Sequence, residues 1–70
     1  MPKLYTSTTT GETCAVMTHA NGTHTASDWL HHEEVDALTA NPSLLASIDC
    51  DNEWTEADFE GMIEVKTEVK

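Results

Sequence analysis

A chain of 70 residues with 39% hydrophobic side chains has room for one small domain and no second, and at that length only about 60% of the extended surface is hidden on folding. Thirteen acidic residues against three basic ones give a formal net charge of −10, the wrong sign for holding nucleic acid by neutralising phosphates or for resting on an anionic membrane. No apolar run approaches membrane-spanning length, and residues 1–5 (Met-Pro-Lys-Leu-Tyr) do not read as a secretory signal, so the expectation is a cytoplasmic protein, monomeric or weakly dimeric, with reduced thiols.

In chain order, residues 4–9 combine Leu4 and Tyr5 with serine and threonine, a composition suited to a strand, and Thr10-Gly11 punctuates it. Residues 13–20 follow. Asn21-Gly22 is then a hairpin signal; as part of Asn21-Gly22-Thr23 it also matches a glycosylation acceptor, read here as a turn. A two-residue loop there predicts His19 opposite His24, Thr18 opposite Thr25 and Met17 opposite Ala26. Alternation then puts Ala15, Met17, His19, His24 and Ala26 on one face, with Cys14, Val16, Thr18, Thr23 and Thr25 on the other. Neither face is strongly apolar, so the hairpin needs a third strand and a helical cover.

Ser27 or Asp28 reads as a helix cap, with Glu33 and Glu34 near the first turns and a helix through Asn41 aiming Leu30, Val35 and Leu38 inward. Asn41-Pro42 restarts the chain as cap and first helical residue, and Leu44, Leu45 and Ile48 give a short helix its inner side. Residues 49–53 read as a polar connection. Thr55 with Asp58 resembles a capping box, and a helix from there puts Phe59, Met62 and Ile63 on one arc and Glu56, Glu60 and Glu64 on the next, each about 6 Å from the last along the axis. A competing reading ends that helix at Gly61 and takes the alternation from Ile63 to Val69 as a closing strand; the strand is preferred. The fold class is α+β: an N-terminal antiparallel hairpin or meander (residues 1–27) packed against two or three short helices in an acidic, mainly helical region (28–64), with 65–70 a tail or the end of a strand.

Site chemistry of the familiar kinds finds little support. An EF-hand count from Asp49 makes Asp51, Glu53 and Glu60 acceptable ligands, but Trp54 stands where the glycine belongs and Glu56 where an apolar residue does. His19, His24, His31, His32, Cys14 and Cys50 show no CxxC, HxxxH or HExxH spacing. His31-His32 beside Glu33-Glu34 sits in a field that raises proton affinity, a pH response without a function attached. Cys14 and Ser43 have no activating neighbour in the sequence, and the cysteines read as small interior side chains whose pairing the sequence leaves open. The expectation is no enzyme, no metal and no cofactor.

The acidic stretch is the distinctive feature. Residues 28–64 hold Asp28, Glu33, Glu34, Asp36, Asp49, Asp51, Glu53, Glu56, Asp58, Glu60 and Glu64 and not one lysine or arginine, whereas residues 1–27 carry only Lys3 and Glu12. A helix must show a polar side, but an ordinary polar side mixes signs, because like charges four residues apart each cost roughly 0.2–0.5 kcal/mol. Trp29, Leu30, Val35, Leu38, Leu44, Leu45, Ile48, Trp54, Phe59, Met62 and Ile63 are interleaved with the acids, enough apolar surface to hold them on a folded scaffold rather than a disordered tail. Carboxylates in such an array approximate the phosphate row of one DNA strand, and a groove lined with Lys and Arg would be occupied by them, with Trp54 or Trp29 as apolar anchor. Glu33, Glu34, Asp36, Asp49, Asp51, Glu53, Glu56, Asp58, Glu60 and Glu64 are the candidate contact residues.

In size and acidity, taken over the whole chain rather than in any motif, the sequence resembles the small phage-encoded inhibitors of bacterial immunity known as anti-CRISPR proteins, several of which mimic DNA. The resemblance implies a basic DNA-binding protein or a CRISPR surveillance complex as partner, with the Cascade complexes of type I systems as first expectation, inside the infected bacterial cell. Two other readings stand beside it. An antitoxin-like or adaptor protein would cap a basic partner through an apolar patch with modest salt dependence. A salt-adapted domain would carry its charge for solubility alone and unfold at low salt.

Overall fold

The computed structural model describes residues 2–65, and five strands in them form one antiparallel sheet: β1 (Lys3–Ser7), β2 (Thr13–Thr18), β3 (His24–Ala26), β4 (Asn52–Trp54) and β5 (Met62–Val65), in the order β4-β3-β2-β1-β5. One helix, α1 (His32–Ala40), and a first 3-10 helix (Pro42–Ser47) link β3 to β4, and a second 3-10 helix (Glu56–Phe59) links β4 to β5. This is the expected α+β fold, hairpin strands and closing strand included.

Alternation along β2 decides which element covers which face. Ala15 joins Leu4, Leu38 and Leu45 in one buried cluster, so α1 and the first 3-10 helix cover that face; Leu30, Ile48, Cys50 and Val65 close its margin. Cys14 and Val16 point the other way and join Ala26 beneath Tyr5, Trp54, Phe59 and Met62. Full burial of a leucine such as Leu4 or Leu45 contributes about 1.5–3 kcal/mol, so the helical face holds most of the aliphatic stabilisation.

The hairpin differs from expectation by one residue. Thr18 pairs with His24, Met17 with Thr25 and Val16 with Ala26. The loop is therefore three residues, Ala20, Asn21 and Gly22, closed by the amide of His19 donating to the Thr23 carbonyl at 2.8 Å. Gly22 has φ 86, the left-handed residue that a three-residue loop requires. The Asn21 side chain holds the turn as well, accepting from the Thr23 amide at 3.1 Å. A one-residue slip exchanges partners across the ladder and the faces they share. His24 consequently lies with Val16 rather than Ala15, and His19 and His24 are not opposed. Each instead meets a threonine: His24 Nδ1 lies 2.9 Å from Thr18 Oγ1, and His19 Nε2 lies 2.7 Å from Thr25 Oγ1.

The helical region is also more broken than the sequence reading. α1 starts at His32 with His31 as cap, not at Ser27 or Asp28, because those residues still belong to the sheet: the Ser27 amide donates to the Ala15 carbonyl and the Leu30 amide to the Thr13 carbonyl, each at 2.8 Å. Glu34 supplies the return bond of the cap, accepting from the His31 amide at 3.2 Å. Leu38 is buried as expected, and the restart at Asn41-Pro42 produces a 3-10 rather than an α-helix, with Leu45 buried and Leu44 exposed.

Residues 52 and 53, expected in a connection, form β4 with Trp54. The Thr55–Asp58 motif does start a helical turn, with the Thr55 amide donating to Asp58 Oδ2 at 2.6 Å, but that turn ends after Phe59. Gly61, at φ 75, reverses the chain into β5, and its carbonyl accepts from the Thr8 amide at 2.7 Å. The row of Glu56, Glu60 and Glu64 on one helix therefore does not exist: Glu60 follows the turn and Glu64 lies on an edge strand. The alternation read through Val69 continues outside the described residues.

Candidate functional site

All ten candidate acids are exposed, yet the sheet divides them. Glu33, Glu34 and Asp36 sit on α1, over the face that holds Leu4 and Ala15. Glu56, Asp58 and Glu60 belong to the second 3-10 helix and the turn after it, over the opposite face, where Phe59 meets Tyr5, His24 and Trp54 at ring-centroid distances of 5.4, 4.8 and 5.2 Å, all edge-on. Asp49, Asp51 and Glu53 lead into and along β4, one edge of the sheet, and Glu64 is on β5 at the other edge. The run from Asp49 to Glu60 follows one edge of the sheet and then crosses the aromatic face, except that alternation on β4 aims Glu53, paired with Thr25, away from the face of Trp54. The structure separates that run from the α1 acids.

Two of the ten have local work. Glu34 and Asp58 cap helical turns, and Glu33 with Glu34 also suits the positive end of α1. The other side chains make no hydrogen bond to a described residue, and Lys3 is the single lysine or arginine among residues 2–65. The two histidine rings that hydrogen-bond among the described residues bond threonines, not carboxylates. Among the described residues, then, no basic side chain neutralises these carboxylates.

Beside the acidic edge lies a feature that the sequence reading missed. Ala15 pairs with Ser27 and Thr13 with Leu30, so Asp28 and Trp29 together stand opposite the single residue Cys14. That is the arithmetic of a β-bulge, which bends a strand and re-aims its side chains. Ser27 pins the near end: its Oγ accepts from the Ala15 amide at 2.9 Å and donates to the Asp28 carbonyl at 2.9 Å. Asn52 Nδ2 donates to Asp28 Oδ1 at 3.2 Å, tying the bulge to β4. The result is an open cleft of about 440 Å³ lined by Cys14, Ser27, Asp28, Trp29, Asn52 and Trp54. A second cleft, about 390 Å³, is also lined by Trp54, here with His24, Thr25 and Glu53. Trp29 is 49% exposed. The only sequence signal for this site was the pair of tryptophans among acids, since a bulge is a property of register and not of composition.

Both thiols are free. Burial pushes the Cys14 thiol up to about 11, with the Cys50 thiol adding to the shift; the Cys50 thiol is also raised, by burial and then by Asp51 and Asp49. Neither is an activated nucleophile, because the thiolate is the reactive form. Among the described residues no three His, Cys, Asp or Glu side chains converge to hold a metal ion, and no helix is long and apolar enough to cross a membrane. No protein-family model, curated protein or solved structure matches this chain, so the reading of its function rests on its own residues.

Proposed function

We propose that this protein is a non-enzymatic inhibitor that offers carboxylates, in place of DNA phosphates, to the nucleic-acid groove of a basic complex. The target class follows the anti-CRISPR resemblance: a type I Cascade complex in the bacterial cytoplasm during infection. The observation that carries the reading is the exposed run of Asp49, Asp51, Glu53, Glu56, Asp58 and Glu60 with no base among it. Carried on an edge strand and a capped turn rather than a long helix, the run is held in place by the sheet. A single exposed ion pair yields about 0–1 kcal/mol, so useful affinity requires several acting at once, with screening over about 8 Å at physiological ionic strength making the interaction salt-sensitive.

The sheet topology supports a division among the acids. A single groove that takes the edge and the aromatic face cannot take the α1 acids on the far side. Reversing Asp51, Glu53, Glu56 and Glu60 to lysine together is expected to abolish inhibition of duplex binding by purified Cascade while the circular dichroism spectrum is unchanged. Glu33→Lys with Asp36→Lys is expected to leave inhibition largely intact. Undiminished inhibition by the fourfold variant sinks the proposal.

A second reading, an adaptor or antitoxin-like cap on a basic protein without DNA mimicry, draws on the exposed Trp29, Leu44 and Ile63. It predicts binding centred on those residues with only modest salt dependence, against the strong dependence of the mimic.

A further inference from the structure

The bulge cleft has a composition that the acidic surface around it does not. Two indoles, Trp29 and Trp54, line it together with one carboxylate, Asp28, one amide, Asn52, and a buried sulfur, Cys14. The polar groups within it are already oriented. Asn52 uses its NH2 group on Asp28 Oδ1, which leaves Asn52 Oδ1 and Asp28 Oδ2 as acceptors without a described partner. Ser27 is occupied on both its donor and its acceptor side. The thiol of Cys14, with its burial-raised affinity for the proton, is neutral at physiological pH. Asp28 is thus the one charged group lining the cleft.

Flat indole faces attract cations through the ring quadrupole. Two acceptors on side chains that hydrogen-bond each other suit a planar, forked donor better than a point charge. The chain as a whole carries −10, so cations are enriched at this surface before any contact forms. We infer that the cleft between Trp29 and Trp54 is a binding slot for the guanidinium of an arginine side chain, stacked on indole and held by Asp28 Oδ2 and Asn52 Oδ1. The slot supplies a specific, short-range contact where the carboxylate run supplies long-range attraction. In the inhibitor reading the arginine belongs to the target's groove, and only the source of the arginine rests on that reading. The chemistry of the slot belongs to the isolated protein and is tested there.

The chain contains two tryptophans, so a nitrogen-15 correlation spectrum of the isolated protein reports each indole N–H as its own signal. N-acetyl-arginine methylamide, titrated at a constant ionic strength of about 0.15 M, is expected to shift both indole signals to saturation. The lysine analogue is expected to bind about threefold more weakly or worse, and the neutral citrulline analogue to leave the signals in place. Asp28→Asn keeps the acceptor that Asn52 uses and removes only the charge; it is expected to weaken arginine binding about threefold or more. Trp29→Ala changes an exposed side chain and is expected to abolish saturation with the amide spectrum otherwise native. Glu33→Gln, across the sheet, is the control and changes nothing. The inference is overturned by shifts that never saturate, by citrulline or lysine matching arginine, or by Asp28→Asn binding as tightly as the parent. Failure of these titrations leaves the fourfold charge-reversal test of inhibition standing, and failure of that test leaves the slot standing.

Discussion

On one face of the sheet Leu4 and Ala15 lie sealed under Leu38 and Leu45, aliphatic against aliphatic. On the other, Cys14, Val16 and Ala26 are covered by Tyr5, Trp54, Phe59 and Met62, none of which is itself fully buried. The first face has a nine-residue helix and a six-residue 3-10 helix to close it; the second has one four-residue turn. The rings around Phe59 meet edge-on, and the cleft of about 440 Å³ beside Trp54 is larger than the groove of about 240 Å³ that Leu38, Leu44 and Ile48 line on the helical face. Two faces of a single thin sheet therefore differ in closure: one is packed with aliphatic side chains, and the other is left partly open beside Trp54.

The largest expected effect tests the stable face. Leu4→Ala removes a side chain with no exposure at all and is expected to cost about 2–5 kcal/mol, a large fraction of the stability of a domain of this size, read as a fall in the urea midpoint. Phe59→Ala on the opposite face is expected to cost about 2 kcal/mol, at or below the lower end of that range, because the ring stays partly exposed; its urea midpoint should fall less than that of Leu4→Ala, and a larger fall would reverse the assignment of the two faces.

Alkaline pH probes the floor of the aromatic face. The Cys14 thiol is raised from 9.0 to about 11 in the folded chain, so between those values the native state holds a proton that the unfolded state has released. Stability from this group is therefore full below pH 9 and is lost as pH rises toward 11, by up to something on the order of 2 kcal/mol. The fall in urea midpoint over that window should be smaller in Cys14→Ala, and an identical fall would mean that Cys14 is not the group responsible. Gly61→Ala should cost about 1–2 kcal/mol, since φ 75 is strained for a side chain, even though the added carbon meets only Thr8 Oγ1 at 3.5 Å. A thermal melt of that variant within a degree of the parent would show that the turn into β5 relaxes freely.

Much of this architecture was legible locally. The Thr10-Gly11 turn, the Asn41-Pro42 restart, the Thr55–Asp58 cap and the Gly61 stop each carry their geometry in one to four adjacent residues, and each appears in the structure. What was not legible depends on partners far along the chain. Asn21-Gly22 supports a two- or a three-residue loop, and the choice fell to Val16 and Ala26 sharing the aromatic face. β4 has three residues, two of them polar and exposed, too short a run for alternation to show. α1 began late because Ser27 and Leu30 were already paired to β2. Of the candidate acids, exposure was legible for all ten, since charge stays in water, but their grouping was not.

By itself, then, the sequence determined the sign and density of the charge, the small size of the core, and the points at which the chain must turn, because those follow from composition and from backbone preferences of neighbouring residues. Only the tertiary structure decided which acids share a side, and that Asp28 and Trp29 bulge opposite Cys14 to open a cleft against Trp54. Register is a long-range quantity: it is set by what the whole sheet must bury, and no local stretch of this chain contains that information.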